Sequence, residues 1–197
     1  MSSVVISGDT SGTITLAAPA VAGTNTITLP AGTGTIAVQG SSTNIVSGTA
    51  VASTSGTSIN FTSIPSWVKK ITVMFNGVST NGSSNIQIQI GSGSITTTGY
   101  TSQAGGGTQY SAVVTSGFCL TPGNAASYIY SGIITLNLFG SNTWTESGNL
   151  AFTTLSSYCW TSAGNSSALS GALDRIRITT GNGTDAFDAG SINILYE

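Results

Sequence analysis

The stretch KKITVMFNGVSTNGSSNIQIQIGSGS, residues 69–94, decides the fold class. Within it, ITVMF (71–75) and IQIQI (86–90) place an apolar residue at every second position. Successive side chains of a β-strand point to opposite faces, so this period of two indicates two strands that each bury one face. The intervening NGVSTNGSS (76–84) is rich in turn-forming residues. The stretch therefore predicts two consecutive strands.

The same signals continue along the chain, and no segment of useful length has helical periodicity. Clear alternation recurs at 134–138, 176–178 and 192–196, and shorter candidate strands are 57–62, 113–120, 127–132, 143–153 and 156–162. Gly-, Asn- and Ser-rich turns separate them. Eight or nine strands over about 150 residues are typical of two packed antiparallel sheets. We therefore predict an all-β protein, an antiparallel β-sandwich of jelly-roll type.

The last strand keeps its apolar pattern almost to the end of the sequence, at Ile192, Ile194 and Tyr196. Chain ends are usually frayed and polar unless a sheet holds them. We therefore expect this strand to be paired within the sandwich. The turn at 185–190 suggests the 173–180 strand as its hairpin partner.

The first 40 residues contain a loose repeat: TITLAAP (13–19), TITLPAG (26–32) and GTIAV (34–38). Each copy is a short Thr/Ile strand with little apolar mass, and a module of this size rarely folds alone. Its strands should therefore pair with the rest of the chain or with other copies. The predicted organisation is a β-rich N-terminal segment at 1–40, a Ser/Thr/Gly-rich linker at 41–56 and the β-sandwich at 57–197.

Charge is scarce, which excludes several functions. The 197 residues include four basic and six acidic side chains and no histidine. Four basic residues cannot neutralise a run of phosphates, so nucleic-acid binding is not expected. The absence of histidine removes the commonest general base and metal ligand. No apolar run reaches the roughly 18 residues of a membrane helix, so membrane insertion is not expected either.

The sequence is similar to one group of known proteins. SGDTSGTITLAAPAVAGTNTITLPAGTGTIAV (7–38) resembles a segment found at the start of tailed-bacteriophage structural proteins. Residues 59–100 and 173–197, the latter reading LDRIRITTGNGTDAFDAGSINILYE, resemble phage tail-fibre-like and other virion surface proteins. The resemblance implies a homotrimeric virion component, assembled in the host cytoplasm and displayed on the particle surface. It supplies no catalytic residue and no cofactor.

The expected function is therefore non-enzymatic: a trimeric tail-fibre-type component, attached through residues 1–40, that contacts other virion proteins and host surface glycans. A capsid-decorating or head-fibre protein is the alternative, favoured by the short chain. No charged residue occurs from 71 to 145, so edge strands lack the charges that usually prevent pairing. This agrees with an assembly in which the edges are covered.

A polysaccharide depolymerase is the enzymatic alternative. Glycoside hydrolysis uses a pair of carboxylates. The only glutamates are Glu146 and Glu197, and Asp174 adjoins Arg175, which indicates an ordinary ion pair. No spacing supports a catalytic pair with Glu146, so no enzymatic activity is expected.

Aromatic residues in the segment 100–160 are candidates for glycan contact, since their rings offer apolar faces beside polar neighbours. The candidates are Tyr100, Tyr110, Tyr128, Tyr130 and Trp144. For each of them, packing in the core or at a subunit interface is the competing interpretation.

Two smaller features also carry expectations. Asn182, Asp185 and Asp188 bring oxygen ligands together on a glycine-rich turn, where Ca²⁺ could bind, although the same residues are common in plain turns. Their spacing does not match an EF-hand, and no metal site is assigned. Cys119 and Cys159 are expected to be free thiols, because the cytoplasm is reducing.

Overall fold

A computed structural model of the chain describes residues 3–7, 13–17, 45–152 and 158–197. All regular structure in these ranges is β-strand. The strands are β1 (Ser3–Ser7), β2 (Thr13–Ala17), β3 (Val46–Ser47), β4 (Val51–Ala52), β5 (Ser58–Thr62), β6 (Lys70–Thr80), β7 (Ile86–Ser92), β8 (Ser94–Ile95), β9 (Tyr100–Gly106), β10 (Gln109–Tyr110), β11 (Phe118–Cys119), β12 (Tyr130–Gly140), β13 (Thr143–Phe152), β14 (Tyr158–Ser166), β15 (Arg175–Thr180) and β16 (Phe187–Tyr196). In the described ranges no helix is long and apolar enough to cross a membrane.

The chain divides into two compact units, Met1–Ala37 and Val38–Glu197. In the first unit β1 and β2 form a two-stranded antiparallel sheet. This matches the strand expected at 13–19, whereas the repeats at 26–32 and 34–38 lie outside the described residues. The remaining strands that the structure describes, β3 to β16, all belong to the second unit.

The second unit is built from two antiparallel sheets. The larger sheet has nine strands in the order β10-β9-β14-β13-β12-β6-β16-β3, with β4 also paired to β16. The smaller has five strands in the order β11-β7-β15-β5, with β8 also paired to β7. Apolar side chains of both sheets, such as Val73 and Ile194 from one and Ile88 and Ile178 from the other, share a single buried core. The predicted all-β, sandwich-like architecture is therefore confirmed.

The C-terminal strand is paired, as predicted, but with a different partner. β16 lies beside β6, and Ile194 aligns with Val73. The prediction of a hairpin with the 173–180 strand was wrong. Both edges of β15 are already occupied, by β5 and by β7. The turn after β15 therefore carries the chain from the small sheet to the large one.

The segment expected to be a linker also contributes to the sandwich. β3 and β4, both within 41–56, pair with β16, and Gly48 N donates a 2.7 Å hydrogen bond to Ile194 O. Composition suggested a linker because these residues are mostly Ser, Thr and Gly. Short edge strands need few apolar side chains, so composition alone did not identify them.

Candidate interaction surface

The outward side of β9, β12, β13 and β14, termed here the wide face, is uncharged. Glu146 is the sole charged residue of these four strands, and it points inward with 3 % of its surface exposed. The outward positions are occupied mainly by hydroxyl and amide side chains, such as Thr135, Asn149 and Thr161. A partner can cover this face without removing any charge from water.

Two large apolar side chains are exposed on the wide face. Ile133 is 53 % exposed and Phe139 is 81 % exposed, and both project outward from β12. They lie roughly 20 Å apart at the rise of an extended strand. The sequence analysis did not single them out, although the signal was present: the inward positions of this strand are Ile134, Leu136 and Leu138. A partner that covers these two side chains removes apolar surface from water without burying a charge of these four strands.

Three of the five candidate glycan residues lie in the core. Tyr100, Tyr130 and Trp144 are at most 2 % exposed, so the candidate glycan contacts at these positions are corrected to core packing. Tyr100 links strands inside the sandwich: its hydroxyl accepts from Ile90 N at 2.9 Å and donates to Thr96 O at 2.9 Å. Burial raises the pKa of Tyr100 to about 12 and also raises the pKa of Tyr130. Each of the three rings occupies an inward-facing position of its strand.

The other two candidates differ in exposure. Tyr128 is half-buried and stacks on Phe152 with ring centroids 4.6 Å apart. Tyr110 is 81 % exposed in the β9–β10 hairpin, beside a shallow depression lined by Gln103 and Thr161. Tyr110 is therefore the candidate best placed to contact a glycan, and it is adjacent to the wide face.

Glu146 lies between the sheets with incomplete hydrogen bonding. Ser162 Oγ donates to Glu146 Oε1 at 2.6 Å, while Glu146 Oε2 is buried without a hydrogen-bond partner among the described residues. Burial raises the pKa of this carboxyl to about 7. The described aspartates are bonded elsewhere, so these residues form no pair of facing carboxylates with Glu146. A depolymerase would need such a pair.

The candidate cation ligands are bonded to protein groups. Asn182 Nδ2 donates to Asp185 Oδ1 at 2.7 Å, and Ser84 N donates to Asp185 Oδ2 at 2.9 Å. These bonds lower the pKa of Asp185. Asp188 instead accepts a hydrogen bond from Ser79. The three candidates thus act as turn and strand contacts, and the described part of the chain contains no cluster of three metal-binding acidic, His or Cys side chains.

Both cysteines are free, as predicted. Cys119 is buried on β11, where its thiol donates to Thr121 O at 3.2 Å. Burial raises the pKa of the Cys119 thiol. Cys159 is exposed on the opposite side of β14 from the buried Trp160.

No family model, curated protein or solved structure matches this chain. The wide face, the buried Glu146 and the exposed Tyr110 are therefore the observations on which a function can be built. Of these, the wide face involves the most side chains, since it spans four strands.

Proposed function

We propose that this protein is a non-enzymatic structural component of a bacteriophage particle, a homotrimer of tail-fibre type that contacts host surface glycans. The phage assignment rests on the sequence resemblance of residues 7–38, 59–100 and 173–197. The observation that supports a structural role is the uncharged wide face with exposed Ile133 and Phe139. We assign the sandwich to the jelly-roll class as part of this proposal.

The occupant we propose for the wide face is a second copy of the chain. The cores of protein interfaces are depleted in charge and rich in aromatic groups, which fits the four uncharged strands that carry Ile133 and Phe139. The ion pair of Lys70 and Glu197, opposite Asn137, marks the charged border of this face. Pairing through open strand edges is a weaker explanation. Of the edge strands, β3, β4, β10 and β11 have two residues each and β5 has five, and short edges are one way that β-proteins prevent such pairing.

The division of the chain supports a separate attachment function. Residues 1–37 form a unit of their own, and β1 and β2 pair only with each other among the described strands. A small unit of this kind can dock on another virion protein while the sandwich contacts neighbouring copies and the host. We therefore assign virion attachment to the N-terminal segment 1–40.

Microscopy of intact phage particles with a labelled antibody against the sandwich tests this proposal. We expect label on the tail; label on the capsid would favour the decorating alternative, and unlabelled particles would contradict both. A chain lacking residues 1–40 should fold but leave the particles unlabelled, because it cannot attach. If the shortened chain is incorporated as well as the full chain, the attachment role is wrong. Release of reducing sugar from host polysaccharide would instead support the depolymerase.

A further inference from the structure

The outward side of the small sheet has a polar hollow built on three strands. Residues of β7, β15 and β5 lie opposite one another there in two adjacent rows. The first row is Gln89, Arg177 and Asn60, and the second is Gln87, Thr179 and Ser58. Directly opposed side chains on neighbouring strands start roughly 5 Å apart, so these side chains lie close together. All of them except Asn60 line the hollow.

The floor of this hollow is buried and held in place. Gln87 and Gln89 are 2 % and 5 % exposed. Ser116 fixes both: its carbonyl accepts from Gln89 Nε2 at 2.9 Å, and its hydroxyl donates to Gln87 Oε1 at 3.0 Å. Gln87 Nε2 and Gln89 Oε1 have no hydrogen-bond partner among the described residues. One donor and one acceptor are therefore available in fixed positions.

The size of the hollow suits a small molecule. The hollow is open to solvent, measures about 260 Å³ and is lined on one side by the turn at 181–183. Drug-sized ligands occupy pockets of roughly 300–1,000 Å³. This hollow is slightly smaller, which matches a single sugar ring of a longer chain. Thr57 and Thr179 also line the hollow, and Thr179 Oγ1 donates to Thr57 O at 2.9 Å.

Arg177 supplies a positive charge that has no acidic partner. Its Nε donates to Asn60 Oδ1 at 3.2 Å, which leaves both Nη groups free of hydrogen bonds to the described residues. Arg177 forms no ion pair with any residue that the structure describes. Arg175, two residues earlier on the same strand, is paired with Asp174 at 2.7 Å. A guanidinium binds a carboxylate through two parallel hydrogen bonds.

We propose that the hollow binds one carboxylate-bearing sugar residue, of the uronic acid type, within a host polysaccharide. The Arg177 Nη groups hold the carboxylate, while Gln87 Nε2 and Gln89 Oε1 bond ring hydroxyls. This inference rests on the proposed function, since it names the class of glycan that the sandwich contacts. It places the contact on the small sheet rather than at the aromatic residues.

Ligand-observed NMR titration of the full chain with glucuronic acid, glucose and acetate tests the inference. We expect glucuronic acid to bind at least about tenfold more tightly than glucose, which lacks the carboxylate, and than acetate, which lacks the ring. Arg177→Gln should weaken glucuronic acid binding about tenfold or more. Arg175→Gln is the matched control and should leave binding unchanged. Gln89→Glu, which adds a negative charge to the floor, should also abolish binding.

Three results would overturn the inference: no binding of glucuronic acid to the wild-type chain, equal binding of acetate, or equal losses in the Arg175 and Arg177 variants. None of them bears on the phage assignment, because particle labelling involves no sugar. Unlabelled particles together with intact glucuronic acid binding would contradict the proposed function alone. Labelled particles without glucuronic acid binding would contradict this inference alone.

Discussion

The outward sides of the two sheets differ, although both come from the same polar, charge-poor chain. The wide face of the large sheet is uncharged and exposes Ile133 and Phe139. The small sheet carries Arg175 and Arg177. On its outward side Ser116 fixes the two buried glutamine amides that form the floor of the hollow. The first arrangement suits contact with a large partner, and the second suits a small ligand. Composition does not separate these roles; strand register and covering loops do.

Removing the C-terminal strand is the strongest way to break the large sheet and with it the wide face. Ile194 is 3 % exposed and aligned with Val73 in the centre of the sandwich. Ile194→Ala should lower the free energy of unfolding by about 2–5 kcal/mol, because it removes apolar contacts and leaves a cavity. Deletion of residues 190–197 should prevent folding. Both effects are measured by denaturant unfolding.

Glu197→Gln serves as the control for that experiment. Glu197 forms an ion pair with Lys70, and both side chains are more than a third exposed, so its loss should cost less than about 1 kcal/mol. A deletion variant that melts within about 2 °C of the parent would show that β16 is dispensable. The pairing of β16 between β6 and the edge strands β3 and β4 would then be wrong.

Neutralising Glu146 sharpens the comparison, because this carboxyl lies in the interior behind the wide face. Its pKa rises from 4.5 in the unfolded reference to about 7 when buried. The folded protein thus binds this proton more tightly than the unfolded chain. The contribution of this proton to the free energy of unfolding is fully present below pH 4.5 and is lost as the pH rises through 7. The loss is on the order of 3 kcal/mol.

Glu146→Gln should therefore remove most of this pH dependence and leave the variant more stable than wild type at pH 8. Unfolding free energies measured from pH 4 to pH 8 provide the check. Glu197→Gln keeps Glu146 and should retain the wild-type slope. Parallel slopes for wild type and Glu146→Gln would mean that the carboxyl is hydrated rather than buried.

The local pattern of the sequence was enough to predict most strands. Alternation at 71–75, 86–90 and 192–196 identified β6, β7 and β16, since side-chain period depends only on neighbouring residues. It was wrong in predicting one buried face for β7, because Gln87 and Gln89 on the other face are buried as well. The partner of β16 depends on which strand edges remain free after β15 has paired on both sides. That is a property of the whole fold, and it was predicted wrongly.

The candidate site was predicted less well for the same reason. Aromatic residues near polar loops suggested glycan contact, but Tyr100, Tyr130 and Trp144 occupy inward positions. Asp174 and Arg175 were expected to form an ion pair, and Arg177 was not singled out. The surroundings of Arg177 depend on strand pairing, because β7 and β5 place Gln89 and Asn60 on either side of it. Neither neighbour is close to Arg177 in sequence.

The mass of the full chain in solution tests the central claim that copies meet through the wide face. Light scattering at micromolar concentration should give a trimer of about 59 kDa, three times the 19.7 kDa chain. Replacing Ile133 and Phe139 together by Ser should weaken association by about tenfold or more and shift the mass towards 19.7 kDa. Asn137→Ser, a polar change on the same strand face, should leave the trimer intact. A wild-type chain that stays at 19.7 kDa would contradict the claim.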